Sequence, residues 1–134
     1  MENLLLRTWG NSDSKSIENP TLADVIESTT IFRGGPGEFG IFRNDASGSL
    51  QVILAIESDK DLYLPALCFP DGRKLYYKNH NADDSWVEFS VHESPTELLT
   101  DDFDLIVGMI KEFYEAGTVK DLNHEYDFTK SDRV

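Results

Sequence analysis

Leu50-Gln51-Val52-Ile53-Leu54-Ala55-Ile56, Leu62-Tyr63-Leu64-Pro65-Ala66-Leu67-Cys68-Phe69, Lys74-Leu75-Tyr76-Tyr77-Lys78 and Ser85-Trp86-Val87-Glu88-Phe89-Ser90-Val91 follow one another between Leu50 and His92. Each run is short, rich in β-branched or aromatic residues and bounded by turn formers, so the stretch reads as consecutive antiparallel strands. In the first run Leu50, Val52, Leu54 and Ile56 fall on one face, with Gln51, Ile53, Ala55 and Glu57 on the other. The second set is half apolar, which predicts a central strand at least partly covered on both sides. Ser58-Asp59-Lys60-Asp61 is a polar turn into the second run, where Pro65 removes a ladder donor and predicts an edge or a bulge. Pro70-Asp71-Gly72-Arg73 is a tight-turn signal that makes the third run a hairpin partner.

Upstream, Leu4 to Trp9 reads as a first strand, and Asn11 to Asn19, which has no hydrophobic period, as a loop. Asn19 and Pro20 then suit the cap and first position of a short helix over Thr21–Glu27. Ser28 to Arg33 returns to a β pattern and stops at Gly34-Gly35-Pro36-Gly37. A phosphate-cradling loop needs a helix N-terminus after its glycines. Here Glu38 to Arg43 continues as strand, so the cluster is read as a turn or bulge.

Downstream, Val87, Phe89 and Val91 share one side of the last run, with Trp86, Glu88, Ser90 and His92 on the other. Thr100-Asp101-Asp102 offers an N-cap and an acidic first turn. Phe103, Ile106, Val107, Ile110, Phe113 and Tyr114 form one helical stripe that Gly117 closes. The predicted architecture is a single α+β domain over residues 1–134. It has one antiparallel sheet of about five to seven strands, a C-terminal amphipathic helix and a short N-terminal helix packed on it, and a frayed tail over 129–134. At 134 residues such a chain can bury a core without a metal or a disulfide. Cys68, in an apolar run, is read as a buried, inert thiol.

The formal net charge is −13 and is unevenly placed. Residues 1–79 hold eleven acidic and eight basic side chains, whereas residues 80–134 hold fourteen and four. That sign disfavours nucleic acid and anionic membranes as partners and speeds association with a basic protein. No run approaches the length of a membrane span, and Met1 to Arg7 lacks the basic leader and apolar core of a signal peptide, so the cytoplasm is the expected compartment. His80 with Asp83 and Asp84 is the one grouping that suggests a metal, but no second histidine stands at ligand spacing, so neither metal nor cofactor is expected. No local motif pairs a nucleophile with a histidine, and the carboxylate pairs of so acidic a chain carry no catalytic information. The expectation is a binding protein rather than an enzyme.

Trp9-Gly10-Asn11 at the end of the first strand, the Pro20 helix, Gly34-Gly35-Pro36, Gly48-Ser49-Leu50-Gln51-Val52, and Asp102-Phe103-Asp104-Leu105-Ile106 running into Glu112-Phe113-Tyr114-Glu115-Ala116-Gly117 together set a layout. It resembles the small immunity proteins of bacterial contact-dependent growth inhibition and other polymorphic toxin systems. The resemblance implies a cytoplasmic, non-catalytic protein that binds a cognate toxin domain, often a nuclease and therefore basic. It transfers no contact residues. From charge and aromatic content, the expected partner-binding residues are Asp83, Asp84, Trp86, Glu88, Glu93, Asp101 and Asp102. The alternatives are a small enzyme or ligand-binding domain, with a pocket between helix and sheet near Tyr63, Tyr76, His80 and His92, and an accessory protein that oligomerises through an edge strand.

Overall fold

The computed structural model describes residues 3–10, 13–33 and 36–126. The expected turn glycines Gly34 and Gly35, together with Asn11 and the 129–134 tail, lie outside them. The strands are β1 (Asn3–Gly10), β2 (Asp13–Glu18), β3 (Gly37–Asn44), β4 (Leu50–Asp59), β5 (Leu62–Cys68), β6 (Lys74–Tyr76), β7 (Trp86–Phe89) and β8 (His92–Pro95). The helices are α1 (Leu22–Glu27) and α2 (Phe103–Ala116). β2-β1-β3-β4-β5-β6 form one antiparallel sheet, and β7-β8 pair separately as a hairpin. This is the expected α+β class, except that the last run leaves the main sheet and folds on itself.

β4 lies inside the sheet, as its two-faced composition predicts. Leu54 and Ile56 are fully buried in a core shared with Leu6, Phe39, Ile41 and Leu67 from the neighbouring strands. Ile106, Met109, Ile110 and Phe113 of α2 and Val25 of α1 belong to the same cluster, so both helices cover this one face. Asp102 caps α2 by accepting from the Leu105 N–H at 3.0 Å, and Gly117 ends it in the left-handed region at φ 75°. The Tyr114 hydroxyl donates to the Pro20 carbonyl at 3.0 Å, which ties α2 to the start of α1.

Pro65 costs the ladder nothing. The Tyr63 N–H points outward, to the Thr100 carbonyl at 2.8 Å. By the two-residue period the nitrogen of Pro65 points the same way. It falls in the gap between Thr100 and β6, whose pairing reaches only Ala66 to Cys68. The edge reading of that proline therefore holds.

Three segments differ from expectation. Asp13 to Glu18 is strand rather than loop, paired along its whole length with β1. It is an edge strand with only Ile17 partly buried, so it has no apolar face to produce a period. Ser28 to Arg33 is a 3-10 helix rather than strand. The Ser28 hydroxyl donates to the Asp24 carbonyl at 2.8 Å and that of Thr29 to Ile26 at 2.7 Å, which continues α1 as a tighter turn. Phe32 is thereby packed against the rings of Phe39 and Tyr63. The cap of α1 is Thr21, in a reciprocal box with Asp24, rather than Asn19. Asn19, at φ 47°, accepts instead from the Leu4 N–H at 3.2 Å. After Gly37 the chain runs directly into β3, with no helix N-terminus for a phosphate.

Candidate functional site

Seven of the acidic residues after position 79, Asp83, Asp84, Glu88, Glu93, Glu97, Asp101 and Asp102, lie on the β7–β8 hairpin and the segments flanking it. The hairpin reverses at Ser90, whose φ of 56° sets the turn, and leaves Val91 97% exposed at the tip. The reversal breaks the simple alternation read from sequence. His92 pairs with Phe89 and shares its face, rather than that of Trp86 and Glu88. Phe89 and Ser94 are buried on the inner side, while Glu88 and Glu93 stand opposite each other on the outer side. Trp86 lies on that outer face, opposite Pro95, half-buried and edge-on to Tyr126 with ring centroids 6.4 Å apart.

Two carboxylates from β4 hold the hairpin down. Asp59 Oδ2 accepts from the Ser90 N–H at 2.7 Å, and Glu57 Oε2 lies 3.0 Å from His92 Nε2. Below it, Ala66, Tyr76 and Leu98 form a small second cluster with Leu64, Cys68 and Tyr126, covering the β5–β6 end of the sheet's second face. Cys68 is half-buried rather than buried, and the burial it has raises its thiol pKa. The hydrogen bond to Glu57, and then the Glu93 carbonyl, raises His92 above the ordinary histidine value. A raised folded value means that the charged pair adds stability fully below about pH 6.5 and loses it as pH rises through the raised value. Amide exchange at Ser90–Glu93, corrected for its intrinsic rate, should therefore be slower at pH 6 than at pH 8. Glu57→Gln should abolish the difference.

The seven expected contact residues separate into two groups. Asp83 is exposed, but its carboxylate is engaged by its own loop and Thr96. Its Oδ1 accepts from the Ser85 N–H at 3.0 Å, from the Ser85 hydroxyl and from the Thr96 hydroxyl, and these bonds lower its pKa. Asp102 is occupied as the α2 cap. Asp84, Glu88, Glu93 and Asp101 are exposed, and Trp86 is half-exposed. Of the residues named for the alternative pocket, Tyr63 and Tyr76 are buried whereas His80 and His92 are on the surface. Among the described residues no three His, Cys, Asp or Glu side chains come together to hold a metal. No described helix is long and apolar enough to cross a membrane.

What the sequence reading left unassigned is the other half of the sheet's second face. Beyond the hairpin, β1, β3 and β4 leave a groove of about 920 Å³. Its lining includes Arg7, Trp9, Gly40, Phe42, Ile53 and Ala55. The signal was present as alternation, since Leu5-Arg7-Trp9 and Glu38-Gly40-Phe42 are the residues facing away from the core.

A family model matches residues 6–122. The chain belongs to DUF6911, a family of unknown function. A crystal structure described as a hypothetical protein from Neisseria gonorrhoeae superposes with a TM-score of 0.67 at 17% identity, covering 88% of this chain and 90% of that one. At that identity the likeness establishes a shared fold. Comparison with curated proteins finds no match. The DUF6911 match takes in every strand and helix from within β1 to the end of α2, so hairpin and groove both lie inside the family's extent.

Proposed function

We propose that this DUF6911 protein is a cytoplasmic immunity protein that binds and neutralises a cognate toxin domain, a basic nuclease, through its acidic surface. The observation that carries the reading is the outer face of the β7–β8 hairpin. Glu88 and Glu93 are opposed and exposed there, beside the half-buried Trp86. Exposed carboxylates steer the encounter, and a desolvated tryptophan slows dissociation.

The test is association with the toxin domain encoded beside this protein. Raising salt from low to several hundred millimolar should cut the on-rate on the order of tenfold while changing the off-rate little. Glu88→Gln with Glu93→Gln should slow association, and Trp86→Ala should speed dissociation. Absence of binding to the neighbouring toxin, or a rate indifferent to salt, would sink the reading.

A further inference from the structure

The β7–β8 hairpin is attached to the rest of the molecule differently at its two ends. At its base the attachment is backbone and buried hydrocarbon. The Thr96 N–H donates to the Ser85 carbonyl at 3.0 Å and the Asn79 N–H to the Glu97 carbonyl at 2.7 Å, and the neighbouring Leu98 is fully buried in the second cluster. At its tip the attachment is side chain. Among the described residues no strand of the main sheet pairs with the hairpin, and β4 reaches it through the Asp59 carboxylate on the Ser90 N–H and Glu57 on His92. Phe89 is buried beneath the turn yet belongs to neither hydrophobic cluster, and its ring meets His92 edge-on with centroids 5.8 Å apart. An element fixed at one end and held by side chains at the other can open as a unit while the sheet stays folded.

The groups around His92 decide what controls that opening. Glu57 Oε2 lies 3.0 Å from its Nε2, and the Glu93 carbonyl 3.1 Å from its Nδ1. Asp59 holds the adjoining turn, Lys60 and Asp61 follow it, and Glu38 of β3 stands opposite Glu57. Both ring nitrogens therefore face acceptors, and only the doubly protonated ring donates to both. A neutral ring donates from one nitrogen and sets the lone pair of the other against an oxygen. We propose that the β7–β8 hairpin is a flap hinged at its base and latched at its tip by the imidazolium of His92 on Glu57, so that loss of one proton loosens it. The upward shift of His92 agrees with this, and its sign sets the latch below the raised value and releases it above. Both partners are open to solvent, 42% and 37% exposed, so the latch changes the opening ratio by about two- to fivefold. Opening uncovers Phe89 and Ser94 and bares β5 at Leu64, the register partner of Glu57, which extends the groove beside Glu57 toward β5. The flap is a property of the free protein and does not depend on the toxin reading.

The test is native-state labelling by iodoacetamide of the full chain carrying Ser94→Cys and Cys68→Ser. Ser94 is 2% exposed on the inner side of the hairpin, and cysteine there only replaces oxygen by sulfur. The labelling rate, divided by that of an unstructured cysteine peptide at the same pH, gives the opening ratio. It should be about two- to fivefold higher at pH 8 than at pH 6, and equal at the two in a Glu57→Gln background. Low urea should raise it far less than it raises exchange of the β1 and β3 amides. If the double variant does not melt cooperatively, exchange of the Ser90 amide in the unaltered chain, corrected for its intrinsic rate, gives the same ratio. An equal ratio at pH 6 and pH 8, a pH dependence that survives Glu57→Gln, labelling as fast as the peptide, or a urea response as steep as that of the sheet would each overturn the proposal.

Discussion

Phe113→Ala is expected to destabilise the fold by about 3–5 kcal/mol, a large part of the roughly 5–15 kcal/mol available to a domain of this kind. Phe113 has no solvent exposure and lies in the α2 stripe that meets Leu54, Ile56 and Val25 within one core cluster. Truncation removes the ring's burial energy and leaves a cavity that strands on one side and α1 on the other prevent from closing. Urea unfolding would show the midpoint falling with little change in slope. A loss below about 1 kcal/mol would mean that α2 is not docked as described.

Asp59→Ala should cost about 1.5–3 kcal/mol, the range for a buried hydrogen bond to a charged group. Its signature should be local. Asp59 is almost fully buried at the end of β4 and holds the hairpin turn through the Ser90 N–H, 31 residues away. Without it, the hairpin keeps its own β7–β8 ladder but loses its shortest tether to the sheet. Hydrogen exchange should accelerate across Trp86–Pro95 while β1 and β3 remain protected until global unfolding. Uniform acceleration throughout the main sheet would contradict this division of labour.

The parts of the fold legible in the sequence are those whose residues face the core. The β4 alternation and the α2 stripe followed from where apolar area must go, the Gly117 stop from the left-handed cap and the placement of Pro65 from its missing N–H. The misread parts are those in which local polar chemistry or the sheet edge decides. β2 borrows its structure from β1 through backbone hydrogen bonds and so leaves no pattern of its own. Ser28 and Thr29 use their hydroxyls on helical carbonyls, which outweighs the β preference of Thr29, Thr30 and Ile31. At the candidate site, exposure of Glu88 and Glu93 followed from composition. The cap at Thr100-Asp101-Asp102 was also legible ahead of the α2 stripe, with Asp102 serving it; the loop bonds of Asp83 were not, because an aspartate that closes a turn and one that faces a partner look the same in a single chain. The groove was hidden for another reason: Trp9, Glu38 and Glu57 are distant in sequence and become neighbours only through strand order.

The polar edge of the sheet has a consequence for how the protein behaves when crowded. β2 carries charge at Asp13, Lys15 and Glu18 and hydroxyls at Ser14 and Ser16. A second β2 laid alongside it would gain backbone bonds but bury almost no hydrocarbon. At the other end β6 is only three residues long, and the outer side of Tyr76 is already taken by His124, whose backbone exchanges bonds with it at 2.7 and 2.9 Å. Among the described residues neither border is a long apolar strand, so neither has the composition of a fibril template.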